Sequence, residues 1–200
     1  RCTAVGHANN SCSDRLDGGF DFNNNYIGRI AEASWSASLD TDVAIDGRVY
    51  VAYLGNADSF GEESGNVEVV ELGSTGFGTP MEVGGTLSRT TANSSLSMDL
   101  GPDGSFHLTY PNHGGGLNYS SCSSSCDLPE SWSSEYINQS VAVADTGVID
   151  ISVGPDMSVV ILAGESDGTS TLHKTDGNWE KTELEASGGA DWTGVEITDQ

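Results

Sequence analysis

Three stretches of this chain share one pattern, and a fourth starts it again at the C-terminal end. LDTDVAIDGRVYVAYL, LSMDLGPDGSFHLTYP and IDISVGPDMSVVILAG each join a short alternating strand to a second strand through a polar turn, and VEITDQ repeats the opening strand. The turn aspartates are Asp46, Asp103, Asp156 and Asp199, spaced by about 57, 53 and 43 residues. An Asp-Gly or Pro-Asp turn between alternating segments is a hairpin signal. One hairpin cannot bury its apolar side alone, so recurring units must stack. A period of this size fits blades of four antiparallel strands arranged about an axis, a β-propeller.

The expectation is therefore an all-β chain forming one domain over 1–200. The first blade is placed at about 37–92, the second at 93–146 and the third at 147–190. A split or truncated blade then combines 191–200 with 1–36. The reading has about four blades, the last closed by the N-terminal segment. A truncated larger ring and an open edge pairing with another copy are the alternatives. Phe77, Trp132 and Trp179 stand at matching places beside the outer strand, where a large aromatic packs between neighbouring blades. Phe106, Leu108 and Tyr110 share one strand face. The run 159–163 reads as a strand buried on both faces.

Composition narrows the partners. Lys and Arg total 7 against 30 Asp and Glu, for a formal charge of −23. Such a field repels nucleic acid and anionic lipid and favours cations and solubility. No apolar run approaches the ~20 residues that span a bilayer, so membrane insertion is not expected. Gly numbers 26 among many Ser, Thr, Asn and Asp, the turn chemistry of a hairpin-rich chain. The chain opens at Arg1-Cys2-Thr3 without an apolar leader, which suggests a removed leader or a start inside a longer protein.

The four cysteines point away from a reducing compartment and allow three pairings. Joining neighbours, Cys2 with Cys12 and Cys122 with Cys126, is the simplest, and the second bridge would pin the Ser-rich CSSSC loop. The rival reading is a metal site drawing on Cys122, Cys126 and His107 or His113.

The run SLSMDLGPDGSFHLTYPNHGGGLNYSSCSSSCDLPESW carries a family likeness. Ser95, Leu96, Asp103, Gly104, His107, Tyr110, Leu117, Tyr119, Cys122, Cys126 and Trp132 match a pattern of Ser-Leu, Asp-Gly, a His-containing strand ending in Tyr, Leu-x-Tyr, Cys-x3-Cys and Trp. It resembles a bacterial extracellular β-propeller repeat. The outer two copies keep the hairpin and lose the cysteines and Leu-x-Tyr. The resemblance implies a secreted or surface-anchored protein without assigned catalysis.

A more distant likeness is to sialidase-type propellers. Ser97-Met98-Asp99-Leu100-Gly101 fits half of their turn motif, but it falls between the first two strands. Their arginine triad needs bidentate guanidinium groups, and this chain offers only Arg1, Arg15, Arg29, Arg48 and Arg89. Arg29 resembles the first arginine of that triad, but Ala31 stands where the proline is expected. Two-carboxylate glycoside hydrolysis finds no pair that stands out among the acids. His7, His107, His113 and His173 lie near no Gly-x-Ser-x-Gly turn. No catalytic residue is assigned.

Calcium is the one cofactor the chain suggests. From Asp21, oxygen-bearing residues fall at the first, third, fifth and twelfth places of a calcium loop, Asp21, Asn23, Asn25 and Glu32, but Tyr26 occupies the sixth place, where Gly is needed. A non-helical loop would keep Asp21, Asn23 and Asn25 as ligands. Asn9, Asn93, Asn118 and Asn138 each open an Asn-x-Ser triplet, and these are uninformative.

The functional expectation is a secreted, non-catalytic binding or structural module. It would sit at a cell surface or in an extracellular assembly and present loops 55–66, 113–116 and 121–130 on a shared face to a glycan or a protein. The competing expectations are a carbohydrate-active hydrolase or lyase and a filament subunit assembled through an open blade edge.

Overall fold

The turns predicted from Asp-Gly and Pro-Asp are built by the aspartates themselves. The Oδ1 atoms of Asp46, Asp103 and Asp156 accept the backbone N–H two residues on, from Arg48, Ser105 and Ser158, at 3.1, 2.9 and 3.0 Å. Hydrogen bonds from the Ser105 and Ser158 hydroxyls and then the backbone hold Asp103 and Asp156 below the ordinary aspartate range, and the Arg48 backbone and then its side chain do the same for Asp46. The next residue turns left-handed: Gly47 at φ 85°, Gly104 at 83° and Met157 at 66°. Glycine suits this position because it has no Cβ to meet the following carbonyl.

The computed structural model describes residues 19–20, 26–28, 39–55, 66–74, 76–83, 96–112, 116–137, 149–165, 168–185, 195 and 197. A two-stranded hairpin comes first, β1 (Gly19–Phe20) with β2 (Tyr26–Gly28). The first large sheet holds β3 (Leu39–Val43), β4 (Val49–Gly55), β5 (Asn66–Gly73) and β6 (Gly76–Phe77) in that order, with β7 (Met81–Glu82) pairing β5. The second holds β8 (Ser97–Leu100), β9 (Phe106–Pro111), β10 (Leu117–Cys122) and β11 (Ser133–Ile137). The third holds β12 (Ile149–Val153), β13 (Val159–Glu165), β14 (Gly168–Thr175) and β15 (Asn178–Glu185). All pairings are antiparallel between neighbours in sequence, save that β7 also returns to β5. A single-turn 3-10 helix, Pro129–Ser131, is the one helix among the described residues.

This is an all-β fold of three meandering antiparallel sheets, in agreement with the expected class at that level. The expected strands of the three sheets are present, although β3 stops at Val43, and the outer strand beside β5 comes in two pieces, Gly76–Phe77 and Met81–Glu82. The expected strand in VEITDQ lies mostly outside the described residues. The 159–163 run alternates, with Val159, Ile161 and Ala163 buried and Val160 and Leu162 half-buried, so only one face is fully covered. The proposed closing segment lies mostly outside the described residues, as does Asp199. Of it, β2 lies against β6 at the outer edge of the first sheet.

Strand alternation sends each sheet's two residue sets to opposite sides. Tyr50, Ala52, Val67, Val69 and Val83 of the first sheet meet Leu96, Met98, Phe106, Leu108, Tyr110, Cys122 and Trp132 of the second. The other face of the second sheet, through Leu117, Tyr119 and Ile137, meets Ile149, Ile151, Val159, Ile161, Leu172 and Trp179 of the third. Each fully buried large side chain contributes about 1.5–3 kcal/mol. Of the matching aromatics, Trp132 and Trp179 pack between neighbouring sheets as expected, whereas Phe77 packs against Val51, Tyr53 and Val70 of its own sheet. Phe77 pairs Leu72 and Trp179 pairs Lys174. Trp132 and Trp179 fill the two seams.

One turn position couples two residues. A Cβ on Gly101 would lie 2.6 Å from Ser105 Oγ, and one on Gly154 2.6 Å from Ser158 Oγ, whereas the first turn has Ala44 with Arg48. Arg48 turns outward, its Nε 2.8 Å from Asp46 Oδ2, and leaves that space open. Gly104→Ala, with nothing within 4 Å of its new methyl, should lose about 1 kcal/mol from backbone strain alone. Gly101→Ala should lose more, and adding Ser105→Ala should recover part of it. Urea denaturation of the three variants checks this order.

Candidate functional site

The most organised polar region is the line of first strands. β3, β8 and β12 each carry Asp or Ser at two alternate positions on one face: Asp40 and Asp42, Ser97 and Asp99, Asp150 and Ser152. Each of these strands is the edge of its sheet. An edge strand exposes a row of backbone N–H groups that must find acceptors when buried. The neighbouring sheet supplies them from side chains. Met98 and Leu100 donate to Asp40 Oδ2 and Asp42 Oδ2 at 2.9 and 2.8 Å. Ile151 and Val153 donate to Ser97 Oγ and Asp99 Oδ2 at 3.3 and 2.6 Å. Val195 and Ile197 donate to Asp150 Oδ2 and Ser152 Oγ at 2.8 and 3.0 Å. The pattern therefore passes beyond the third sheet in the same phase.

Charges crowd there. Ser97 Oγ lies 3.0 Å from Asp40 Oδ2 and 2.9 Å from Asp150 Oδ1. Burial pushes the Asp40 carboxyl up, against hydrogen bonds that pull it down. Asp99 is pushed up to about 6, by burial first and then by the nearby Asp42 carboxylate.

The seam between the second and third sheets holds the other polar groups. His107 on β9 is buried between Ser105 Oγ, 2.8 Å from Nε2, and Tyr119 OH, 2.6 Å from Nδ1. Burial pushes it down to about 4, with Asp103 opposing and Lys174 assisting. The imidazole is held as a neutral link from turn to strand. Lys174 Nζ sits 4.3 Å from the Tyr119 ring centroid and 5.4 Å from that of Trp179, and bonds Glu135 Oε1 at 2.5 Å. Trp179 Nε1 donates to the same oxygen at 3.0 Å. Glu165, 4% exposed, receives Lys181 Nζ at 2.8 Å and the Ser170 hydroxyl.

The loops divide between two ends. Cys122 pairs Phe106 and Leu117 pairs Pro111. The β10–β11 loop thus lies at the end holding the Asp103 turn, and the β9–β10 connection lies at the other. Loops 55–66 and 113–116 lie mostly outside the described residues, but the strand ends that flank them, Gly55 with Asn66 and Pro111 with Leu117, stand at the end opposite the loop 121–130, against the expected shared face. In loop 121–130 Cys122 and Cys126 form a disulfide with S–S 2.14 Å and Cα–Cα 5.8 Å, which removes the cysteine metal reading. The Trp132 indole N–H donates to Cys126 O at 2.9 Å and anchors the loop. At the opposite end Tyr136 is 47% exposed, and its ring occupies the space a Cβ on Gly116 would need. Asn112 Oδ1 accepts the Gly116 N–H beside it at 3.1 Å.

The calcium candidates Asp21, Asn23 and Asn25 lie outside the described residues, as do Cys2, Cys12, Arg29 and His113. Among the described residues, no three His, Cys, Asp or Glu side chains are placed to hold a metal ion, and no helix is long and apolar enough to cross a membrane. The sialidase-like Ser97–Gly101 segment is the edge strand β8 and the start of its turn. Asn118 is 0% exposed, which bars glycosylation of the folded chain there. Sequence reasoning misses the acceptor phase of the first strands, although its signal is present as Asp or Ser at alternate places just before each turn.

No family model matches this chain, and no curated protein matches it. Among solved structures it is similar to a fucose lectin from Kordia zhangzhouensis in complex with methyl-fucoside, at 10% identity and TM-score 0.45, over 72% of this chain and 97% of that one. No residue role is carried across at that level of likeness.

Glu165 places a buried carboxylate 2.8 Å from Lys181 Nζ, and removing it takes that charge from the lysine. Glu165→Ala should cost about 3 kcal/mol, and Glu165→Leu with Lys181→Met should recover most of it. Equilibrium denaturation of both variants measures the difference.

Proposed function

We propose that this chain is a secreted, non-catalytic β-propeller module that presents its loops to a glycan or an extracellular protein. The observation that carries the reading is the ladder of Asp and Ser side chains on successive first strands. Strands gathered about an axis meet edge to edge without pairing backbones, and side-chain acceptors answer that geometry. The continuation to Val195 and Ile197, with β2 lying beside β6, supports a last blade shared by both ends of the chain.

The same ladder supports the absence of catalysis. The carboxylates it brings together, with His107 and Glu165, are engaged in joining strands and sheets. Recognition then falls to the loops. Exposed Tyr136 beside Asn112 offers an aromatic face and an amide, the pairing that suits a sugar ring. Calcium held by Asp21, Asn23 and Asn25 is the proposed accessory ion.

A second reading is assembly. Val43 is 59% exposed and Ile45 90% exposed on the first strand of the first sheet and the turn that follows it, where the corresponding Val153 of the third sheet is buried. An edge of this kind can receive another strand.

A glycan array probed with and without calcium, alongside light scattering, tests these together. The expected result is selective glycan binding by a monomer, weakened at least tenfold by Tyr136→Ala at unchanged thermal stability. Binding unaffected by Tyr136→Ala would move the site elsewhere. Silence on the array with ordered polymers in solution would establish the assembly reading instead. Turnover of chromogenic glycosides, abolished by a single carboxylate change, would overturn the non-catalytic one.

A further inference from the structure

Hydrogen counting along the first strands leaves two places short of a proton. At the first, the Leu100 N–H has one hydrogen and two carboxylate oxygens upon it, Asp42 Oδ2 at 2.8 Å and Asp99 Oδ1 at 2.9 Å. The Asp42 carboxylate stands near enough to Asp99 to push its carboxyl up. At the second, the Ser97 hydroxyl has one hydrogen and two carboxylate neighbours, Asp40 Oδ2 at 3.0 Å and Asp150 Oδ1 at 2.9 Å. It also accepts from Ile151 N–H at 3.3 Å. A hydroxyl donates once, so one of its two carboxylate contacts needs a hydrogen from the carboxyl side.

Among the described residues, no positive side chain fills the gap. β3, β8 and β12 contain neither Lys nor Arg. From the elements packed on them, Tyr50 and Ala52 of β4 stand opposite Asp42 and Asp40, and Leu162 and Val160 of β13 opposite Asp150 and Ser152. His107 of β9 stands opposite Asp99, but both of its ring nitrogens are engaged by Ser105 and Tyr119.

We propose that shared protons close the seam between β3, β8 and β12, one between Asp42 and Asp99 and one in the Asp40–Ser97–Asp150 chain, so that the first strands grip most tightly in acid and loosen towards neutrality. The protons come from water and return to it. When they leave, two carboxylates face each other across the same amide, and like charges at that range repel.

The linkage has a definite sign. Asp99 is raised from 3.8 to about 6 and Asp40 is raised as well. A raised carboxyl binds its proton better folded than unfolded, so its contribution is complete below about 3.8 and is lost as pH rises through about 6. The turn aspartates Asp46, Asp103 and Asp156 are shifted the opposite way. Their contribution is lost only in acid below the ordinary aspartate range. That of His107, lowered from 6.5 to about 4, is lost as pH falls from about 6.5 and opposes the trend inside the window from about pH 4.5 to 8, so the test reads the amides at the joint itself. This inference stands apart from the proposed function, since it concerns the joints between sheets and not the loops.

Amide hydrogen exchange of the full chain between about pH 4.5 and 8, corrected for intrinsic rates, tests it. Protection at Leu100 and Val153 should fall about tenfold or more across pH 6, while amides inside the β13–β14 pairing stay level. Asp99→Asn, which keeps an oxygen for Val153, should flatten the fall, and Asp42→Asn should do the same. The fall should persist in about 1 M salt, which screens exposed charge but leaves buried pairs largely unscreened. Carbon-detected titration of the side chains gives an independent reading. Carboxyls of Asp40 and Asp99 that both titrate below about pH 4.5, or an equal fall in Asp99→Asn, would overturn the proposal.

Discussion

An edge strand has to find partners for half of its backbone, and this chain answers with side chains. β3, β8 and β12 each open a sheet, and each would leave alternate N–H groups bare. Asp and Ser on the neighbouring first strand take those of β8 and β12 one by one. Backbone pairing would merge neighbouring sheets into one continuous surface. Side-chain acceptors hold the strands beside each other while letting each sheet keep its own plane, and the face-to-face burial in the two seams depends on that separation.

The two seams solve one packing problem with different chemistry. Between the first and second sheets, Tyr50 meets Phe106 edge-on at 4.8 Å, and Trp132 closes over it beside the disulfide. Between the second and third, Tyr119 meets Trp179 at 5.2 Å, and Lys174 lies over both rings. Lys174 pairs across to Trp179, and Trp132 follows the loop closed from Cys122, so an ammonium group on one seam answers to a sulfur bridge on the other. The lysine keeps its charge by resting on two π faces and a carboxylate. An apolar residue there would bury more simply, but it would leave Glu135 without its cation.

Much of the fold is legible because its signals are local. Asp-Gly and Pro-Asp announce their turns through bonds within two residues, and alternation announces the strand faces. Phe77, Trp132 and Trp179 can be matched because a large aromatic is conspicuous at any repeat position. The joints are harder to read. Asp40, Asp42, Ser97, Asp99, Asp150 and Ser152 look in sequence like the solvent side of exposed strands, since nothing local reveals that another edge will lie against them. The loop ends escape for a related reason: which end a connection reaches follows from counting strands, and loop composition is silent on it. The calcium candidate and the first cysteine pair fall outside the described residues, so their reading rests on spacing alone.

The joint between sheets has a direction. Each first strand gives side-chain acceptors forward to the next, so the line of strands has a head and a tail. Two such edges related by twofold symmetry would set acceptor against acceptor or donor against donor. Any copy that adds along this line must therefore join heterologously, and the outcome is a closed ring or an open helix rather than a symmetric dimer.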